Sequence, residues 1–294
     1  MFHRTRGYGL AVWVIIIGMS VPCAAAPSMT KVWELQEGIT NPESVIYDAA
    51  NEVLYVVNTG AEPHTGSVLQ VSLDGKVSGE NFATGLNSPR GSLIVDNVLY
   101  VGEQQALTKI DLTTGKVVES YPTPEAGMLN DIAKDDAGNI YVSDIMGDAI
   151  YRLAEGKIEK WIESPELHWP NGLLFEPGRL VLAPWGTVTN PKTWETETPG
   201  VLSVISLKTK EISALGEGKP LGNLDGVKSD GEGNYFVSDW MTGKLYLVDG
   251  TSGEATLLLT IEQSSGDIEF IAGQNLLLVP IGMTNKVIAY KLEK

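Results

Sequence analysis

Six polar residues open similar segments along the 294-residue chain, and their chemical types suit the binding of a cation. The set contains three carboxylates, two amides and one guanidinium: Glu43, Arg90, Asn130, Asn171, Asp225 and Asp267. Such groups would be costly to bury at one level without partners. Hard divalent cations prefer carboxylate and carbonyl oxygens. The set therefore predicts a site for one divalent cation, with Ca²⁺ the first expectation and Mg²⁺, Mn²⁺ or Zn²⁺ the alternatives.

A repeated unit is expected to bring these residues together. Each unit opens with one of the six, runs through a first strand, and continues into a second strand such as VLYVVN (53–58) or NIYVSD (139–144). Successive openings are 47, 40, 41, 54 and 42 residues apart. This period is typical of four short strands per propeller blade. The sequence therefore predicts an all-β, six-bladed propeller whose first strands line a central channel and present the six residues as a ring.

The repeat is irregular at two places, at the ends of the chain and within its longest step. The sixth unit stops after three strands, and the segment Lys31–Leu35 precedes the first unit without a blade of its own. We expect this N-terminal strand to close the last blade, because closure removes exposed sheet edges. The longest step contains Thr187–Pro199, a polar stretch with two prolines that predicts a loop insertion at one rim of the propeller.

The first 26 residues have the pattern of a secretory signal peptide. A positively charged start precedes an apolar run over residues 10–21 and then small residues. A lipid anchor at Cys23, the chain's one cysteine, is the alternative. We therefore expect residues 27–294 to form a single exported domain, either periplasmic or secreted, without a disulfide.

The charge of the chain narrows the class of its partners. The formal net charge is −16, which argues against binding nucleic acid or anionic lipid. We expect a small-molecule substrate, no membrane association of the mature form, and a monomer, since a closed propeller needs no partner to complete its core.

The repeat openings resemble the senescence-marker-protein/gluconolactonase (regucalcin-like) family over essentially the whole mature chain. The matching motifs are Pro170-Asn171-Gly172, Leu224-Asp225-Gly226 and Asn130-Asp131. The resemblance implies a metal-dependent hydrolase of a lactone or related cyclic ester. It also implies that Glu43, Asn171 and Asp225 hold the metal and that Asn130 completes the shell or contacts substrate. Asp225 is the implied catalytic base.

More distant resemblance extends to paraoxonases and strictosidine-synthase-like proteins. The histidine pair of paraoxonases is not carried over, because His64 and His168 stand in separate connecting regions.

Four further residues are candidates for substrate binding. Arg90 is expected either to anchor a substrate oxygen or to form a salt bridge with Glu43 or Asp267. Asp267 would act as a second acid or balance Arg90. Trp185 and Trp240 follow second strands and could form an aromatic wall for a ring-shaped ligand.

A second class of function fits the same sequence. The chain could be a non-catalytic exported propeller that binds a small molecule or a protein and holds a structural divalent cation, because a fold alone does not fix function.

Overall fold

The computed structural model of the chain describes residue 1, residue 3 and residues 27–293. In this part the chain forms six four-stranded antiparallel sheets, which confirms the predicted six-bladed β-propeller. The signal-peptide prediction for residues 1–26 falls almost entirely outside the described residues. No helix in the described part is both long and apolar enough to span a membrane.

The first three blades follow a short N-terminal strand, β1 (Ser28–Leu35). Their strands run outward from the channel in chain order: β2 (Pro42–Asp48), β3 (Val53–Asn58), β4 (Gly66–Ser72) and β5 (Val77–Leu86); β6 (Ser92–Val95), β7 (Val98–Glu103), β8 (Ala106–Asp111) and β9 (Val117–Pro122); β10 (Leu129–Lys134), β11 (Ile140–Asp144), β12 (Ala149–Ala154) and β13 (Lys157–Glu163).

The last three blades repeat this order with one insertion in blade 4. Their strands are β14 (Pro170–Glu176), β15 (Arg179–Pro184), β18 (Ser203–Ser206) and β19 (Ile212–Ala214); β20 (Leu224–Ser229), β21 (Asn234–Asp239), β22 (Lys244–Asp249) and β23 (Ala255–Thr260); β24 (Glu269–Ile271), β25 (Leu276–Ile281) and β26 (Lys286–Glu293). Within residues 27–293, three single-turn 3₁₀ helices occupy connections: Ile145–Gly147, Pro165–Leu167 and Ala272–Gln274.

The N-terminal strand closes the propeller as predicted. β1 pairs antiparallel with β26, from Ser28 opposite Glu293 to Leu35 opposite Val287, and so forms the outermost strand of blade 6. The strand starts three residues earlier than the predicted segment Lys31–Leu35. Pairing of the two chain ends in one sheet leaves the described propeller without an open gap between its last and first blades.

The core consists of apolar layers between neighbouring blades. One layer joins Leu54 and Val56 of blade 1 to Leu278 and Val287 of blade 6, and Leu35 of β1 belongs to the same layer. Side chains alternate along each strand, so the two faces of a blade contribute to two different layers. β1 therefore both completes a sheet and buries apolar surface.

Shortening one side chain of β1 tests this closure. We expect Leu35→Ala to lower the free energy of unfolding by about 2–5 kcal/mol, because Leu35 is buried in the layer between blades 6 and 1. Val32→Ala in the same strand is the control, since Val32 is 54% exposed. Urea denaturation of both variants measures the difference; equal effects would contradict a packed closing strand.

The segment Thr187–Pro199 is an insertion, as predicted, but it forms a β-hairpin where a loop was expected. β16 (Gly186–Asn190) pairs with β17 (Glu195–Pro199) in a separate two-stranded sheet between β15 and β18. The segment is rich in threonine, a β-branched residue that favours paired strands. We call residues 186–199 the inserted hairpin.

Candidate functional site

Irregularities in the first strands place the opening residues of four blades at the channel. The pairing register shifts at Pro42/Ser44, Leu129/Ile132, Pro170/Gly172 and Leu224/Val227. The unpaired residues at these shifts include four of the predicted ring members: Glu43, Asn130, Asn171 and Asp225. A β-bulge redirects a side chain that regular pairing would place elsewhere, and such bulges are common next to active sites.

Glycines let the first strands approach one another closely behind the ring. A Cβ atom on Gly172 would collide with the carbonyl oxygen of Asp225, and one on Gly226 would collide with the backbone of Ile268. The glycine after Asn171 and the glycine after Asp225 are therefore required by the narrow axis. This close approach brings side chains from different blades within reach of each other.

A cavity of about 180 Å³ lies where the opening residues of several blades meet. Five of the six predicted ring residues line it: Glu43, Arg90, Asn130, Asn171 and Asp225. The predicted aromatic residues Trp185 and Trp240 line it as well, together with Met128, Ile145 and Trp194. The structure thus brings together the proposed metal ligands and most of the proposed substrate contacts.

Three buried oxygens of residues that line this cavity have no hydrogen-bond partner among the described residues: Glu43 Oε2, Asn130 Oδ1 and Asn171 Oδ1. The Asn171 amide is oriented by its Nδ2 atom, which donates to Asp225 Oδ2 at 3.1 Å and to the Leu224 carbonyl at 3.3 Å. Buried polar atoms normally have partners, so unpartnered oxygens that converge on one site suit the binding of a positively charged group. Their chemistry fits a hard cation.

The site differs in composition from an all-acid or histidine-rich metal centre. No group of three or more His, Cys, Asp or Glu side chains in the described residues could by itself hold a metal ion. The candidate set instead combines the carboxylates of Glu43 and Asp225 with the amides of Asn130 and Asn171. Amide carbonyl oxygens are ordinary ligands of Ca²⁺, so this composition fits the predicted preference.

Burial and mutual repulsion perturb the two carboxylates of the cavity. Burial, followed by the nearby charge of Asp225, raises the pKa of Glu43 well above its usual value. Burial, followed by the charge of Asp267, raises the pKa of Asp225 well above its usual value, and the hydrogen bond from Asn171 opposes this only in part. A bound cation would favour the charged form of both groups.

Arg90 donates from Nη1 to the Ser88 carbonyl at 3.0 Å and to Gln104 Oε1 at 3.4 Å. It forms no ion pair within 4.0 Å in the described part of the chain, so of the two alternatives for Arg90 the salt bridge to Glu43 or Asp267 is not present. Burial lowers the pKa of Arg90, while the charges of Glu43 and Asp225 oppose that effect. Arg90 is therefore held by neutral partners at the cavity wall, and its remaining donors suit a substrate oxygen.

Asp267 does not line the cavity, which corrects the prediction that it contacts substrate or balances Arg90. Its buried carboxylate lies 3.3 Å from Lys228 Nζ. Asp131, which also does not line the cavity, accepts from the backbone N–H groups of Ile132 and Leu173, both at 2.7 Å. The charges of Asp267, Asp131 and Lys228 interact with one another and form a group that we call the axial ion cluster.

Sequence reasoning missed Trp194, which lies between the two strands of the inserted hairpin. Its ring contacts Trp185 edge-to-face, with centroids 4.9 Å apart and an interplanar angle of 78°. No repeat position corresponds to an inserted residue, so alignment of the blades could not reveal it. The available signal was a tryptophan inside the one segment that lengthens the repeat.

Comparisons with known proteins agree with this architecture. The family described as SMP-30/Gluconolactonase/LRE-like region matches residues 41–263, which is most of the chain. The chain belongs to this family. The match confirms the resemblance seen in the blade openings. The matched residues include all four candidate ligands of the cavity. A comparison with curated protein sequences finds no significant match.

Solved structures share the fold of this SMP-30/gluconolactonase family member. A gluconolactonase from Xanthomonas campestris is 18% identical, with a TM-score of 0.69 over 90% of this chain and 89% of that one. A putative gluconolactonase is 16% identical, with a TM-score of 0.69 over 92% and 93%. Virginiamycin B lyase from Staphylococcus aureus is 12% identical, with a TM-score of 0.61 over 91% and 100%. At these identities the likeness concerns the fold alone.

The raised pKa values predict how the stability of this family member depends on pH without a divalent cation. Burial raises the pKa of Glu43, Asp225 and Asp267, and raises that of Glu269 to about 7. The folded protein then binds more protons than the unfolded chain above about pH 4, so the free energy of unfolding falls as pH rises. In chelator we expect it to be lower at pH 8 than at pH 5 by at least about 1.4 kcal/mol.

Urea denaturation in chelator at four pH values between 5 and 8 measures this slope. The same series with saturating divalent cation is the control, because a cation bound to the charged carboxylates should flatten or reverse the slope. A free energy of unfolding that increases from pH 5 to pH 8 in chelator would contradict the burial of uncompensated acids.

Proposed function

We propose that the protein is a metal-dependent hydrolase of a lactone or related cyclic ester, with the reaction in the axial cavity. The observation that carries the proposal is the set of three buried, unpartnered oxygens beside Asp225 in a cavity of about 180 Å³. Membership of the family and the propeller fold that it shares with gluconolactonases support the same reaction class. A cavity of this size suits one small ring.

Glu43, Asn130, Asn171 and Asp225 would hold one divalent cation. Two carboxylates would balance its charge, and the two amide oxygens would add ligands without further charge. Ca²⁺ is the expected ion, because carboxylate and amide oxygens without a nitrogen or sulfur ligand suit a hard cation. When bound, the cation would polarise the ester carbonyl and stabilise the negative charge that develops on its oxygen.

Asp225 is the general base in this proposal. Its carboxylate accepts a proton from a water molecule whose oxygen forms a bond to the ester carbonyl carbon. The ring C–O bond then breaks, the ring oxygen takes up the proton held by Asp225, and a hydroxy acid is released with the base regenerated. Arg90, held at the wall by Ser88 and Gln104, directs its free N–H groups at a substrate oxygen.

Proton release from a panel of lactones, with and without chelator, tests the proposal. We expect turnover that chelator abolishes and that added Ca²⁺ restores. Asn171→Ala should lose cation binding in calorimetry and lose turnover, since it removes one of the unpartnered oxygens. The matched control is Asn139→Ala, which removes an amide that bonds only within the β10–β11 turn.

A binding propeller without catalysis remains the alternative outcome. Protein that retains its cation yet releases no proton from any lactone would overturn the hydrolase proposal and favour a structural cation. We further propose that the mature protein acts after export, as a monomer, on a small molecule; the signal-like segment at residues 1–26 supports this location.

A further inference from the structure

Resting on the proposed hydrolase, we propose that the substrate lactone carries an apolar substituent and that Trp194 of the inserted hairpin selects it. The inference starts from the two chemical classes of residue that line the cavity. The polar class contains the proposed cation ligands and Arg90, with Asn41 and Thr59, while the apolar side chains are Met128, Ile145 and three indoles, those of Trp185, Trp194 and Trp240. Met128, Ile145 and Trp185 belong to one apolar cluster, against which Trp194 and Trp240 pack.

Trp194 is fixed in place by aromatic contacts. Besides Trp185 at 4.9 Å, its ring meets Trp169 edge-to-face with centroids 5.3 Å apart. Trp169 is itself fixed, because its backbone N–H donates to Asp148 Oδ1 at 2.7 Å. Edge-to-face pairs of this kind hold rings in defined orientations. The hairpin therefore presents a rigid apolar surface to the cavity.

The backbone at Trp194 is also strained. Its φ angle is +58°, a left-handed conformation that bulky residues rarely adopt, and its N–H donates to the Asn190 carbonyl at 2.8 Å. Glycine or asparagine would form this turn at lower cost. Strained backbone persists where the surrounding structure enforces it and is concentrated at ligand sites. The use of tryptophan here indicates a requirement for its side chain.

The apolar side chains of the cavity offer little to a polyhydroxylated ring. The indole N–H of Trp185 donates to Thr196 Oγ1 at 3.1 Å, so it is already satisfied. The hydroxyl of Thr59, at the edge of the cavity, donates to the Pro89 carbonyl at 2.9 Å. Substrate hydroxyls left against apolar side chains would lose hydrogen bonds to water without replacement. An alkyl or aromatic substituent would instead gain contact area.

Three exposed methionines lie in connections between the second and third strands of their blades, and two of them directly follow apolar residues that line the cavity. Met146 directly follows Ile145, and Met241 directly follows Trp240, both in connections between second and third strands. Met283 lies in the corresponding connection of blade 6. These side chains are 40%, 48% and 61% exposed, respectively. Methionine adapts to varied apolar partners, so the connections suit a substituent that reaches beyond the cavity.

Three lactones of one ring size test the inference: δ-valerolactone, its heptyl-substituted analogue δ-dodecalactone, and glucono-δ-lactone. We expect the heptyl-substituted lactone to have the lowest KM. Trp194→Ala should raise that KM about tenfold and raise the KM of δ-valerolactone much less, because the larger part of the lost contact is one that the substituent makes. Trp194→Phe should recover most of the loss, while Leu257→Ser, on an exposed outer strand, should change neither constant.

A binding measurement separates this inference from the hydrolase proposal. The heptyl-substituted δ-lactam has the same shape and resists hydrolysis, so calorimetry can compare its affinity for the wild type and for Trp194→Ala. Tenfold weaker binding to the variant would support the inference even if no lactone were turned over. The inference would be overturned if glucono-δ-lactone were the preferred substrate, or if the lactam bound equally tightly to the wild type and to Trp194→Ala. Neither result would decide the hydrolase proposal, which the chelator experiment tests separately.

Discussion

Asp225→Asn is expected to lower kcat for lactone hydrolysis by about 10³-fold even when the cation site is saturated. A positioned general base contributes roughly 10²–10⁴-fold to a rate. The amide of asparagine keeps the shape of the side chain but cannot accept a proton from water. Asn171 Nδ2 can still donate to the retained carbonyl oxygen, so the local geometry should survive.

The same substitution removes one negative charge from the cation site, so the two roles of Asp225 must be separated. Calorimetry gives the cation affinity of the variant, and kcat is then measured with the cation at saturation. Loss of rate that persists at saturation identifies Asp225 as the base. Full recovery at saturation would leave it as a ligand only and would contradict the assigned proton transfer.

Asp135→Asn is the matched control for this experiment. Asp135 is also a buried carboxylate, but it accepts from Asn139 and Tyr141 within blade 3 and does not line the cavity. We expect this variant to lose some stability and to keep its kcat. A similar loss of rate in both variants would point to general destabilisation in place of a chemical role for Asp225.

The sequence predicted the ring because the repeat itself carries that information. Glu43, Asn130, Asn171 and Asp225 hold equivalent positions in four blades, and a propeller places equivalent positions around one axis. The pairing of the chain ends followed from a sixth unit with only three strands. Both inferences depend on the spacing of similar segments, which can be measured in the amino-acid sequence without a structure.

Asp267 and Trp194 show where that reasoning stopped. Asp267 is equivalent to the other ring members in sequence, but its carboxylate pairs with Lys228 of the neighbouring blade. The spacing of the repeat does not predict which side chain of a neighbouring blade will contact a ring residue. A signal existed, since most residues three places after a ring position are apolar and Lys228 is the charged exception. Trp194 stands on an insertion, where the repeat gives no equivalent position.

Lys228→Met is expected to lower the free energy of unfolding by about 3–5 kcal/mol, because it removes the cation of the axial ion cluster. The Lys228 side chain is 17% exposed, and its Nζ atom lies 3.3 Å from a carboxylate oxygen of Asp267 that is almost wholly buried. Burial opposes the charge of Lys228, but the carboxylates of Asp267, Asp131 and Glu269 outweigh it and raise the pKa of the lysine. Methionine would fill a similar volume and leave the acids uncompensated.

A double variant shows whether the loss comes from the pairing. Lys228→Met combined with Asp267→Asn removes both charges of the closest pair, so it should be more stable than Lys228→Met alone, with a coupling energy of about 1–3 kcal/mol. Lys76→Met is the control: Lys76 pairs with Asp74 at 2.6 Å, but both side chains are largely exposed, and no measurable change is expected. Additive effects of Lys228→Met and Asp267→Asn would contradict the ion cluster as a coupled unit. Coupling would instead explain why a lysine is buried here, since it compensates the acids of the axial ion cluster and leaves the cavity carboxylates to bind the proposed cation.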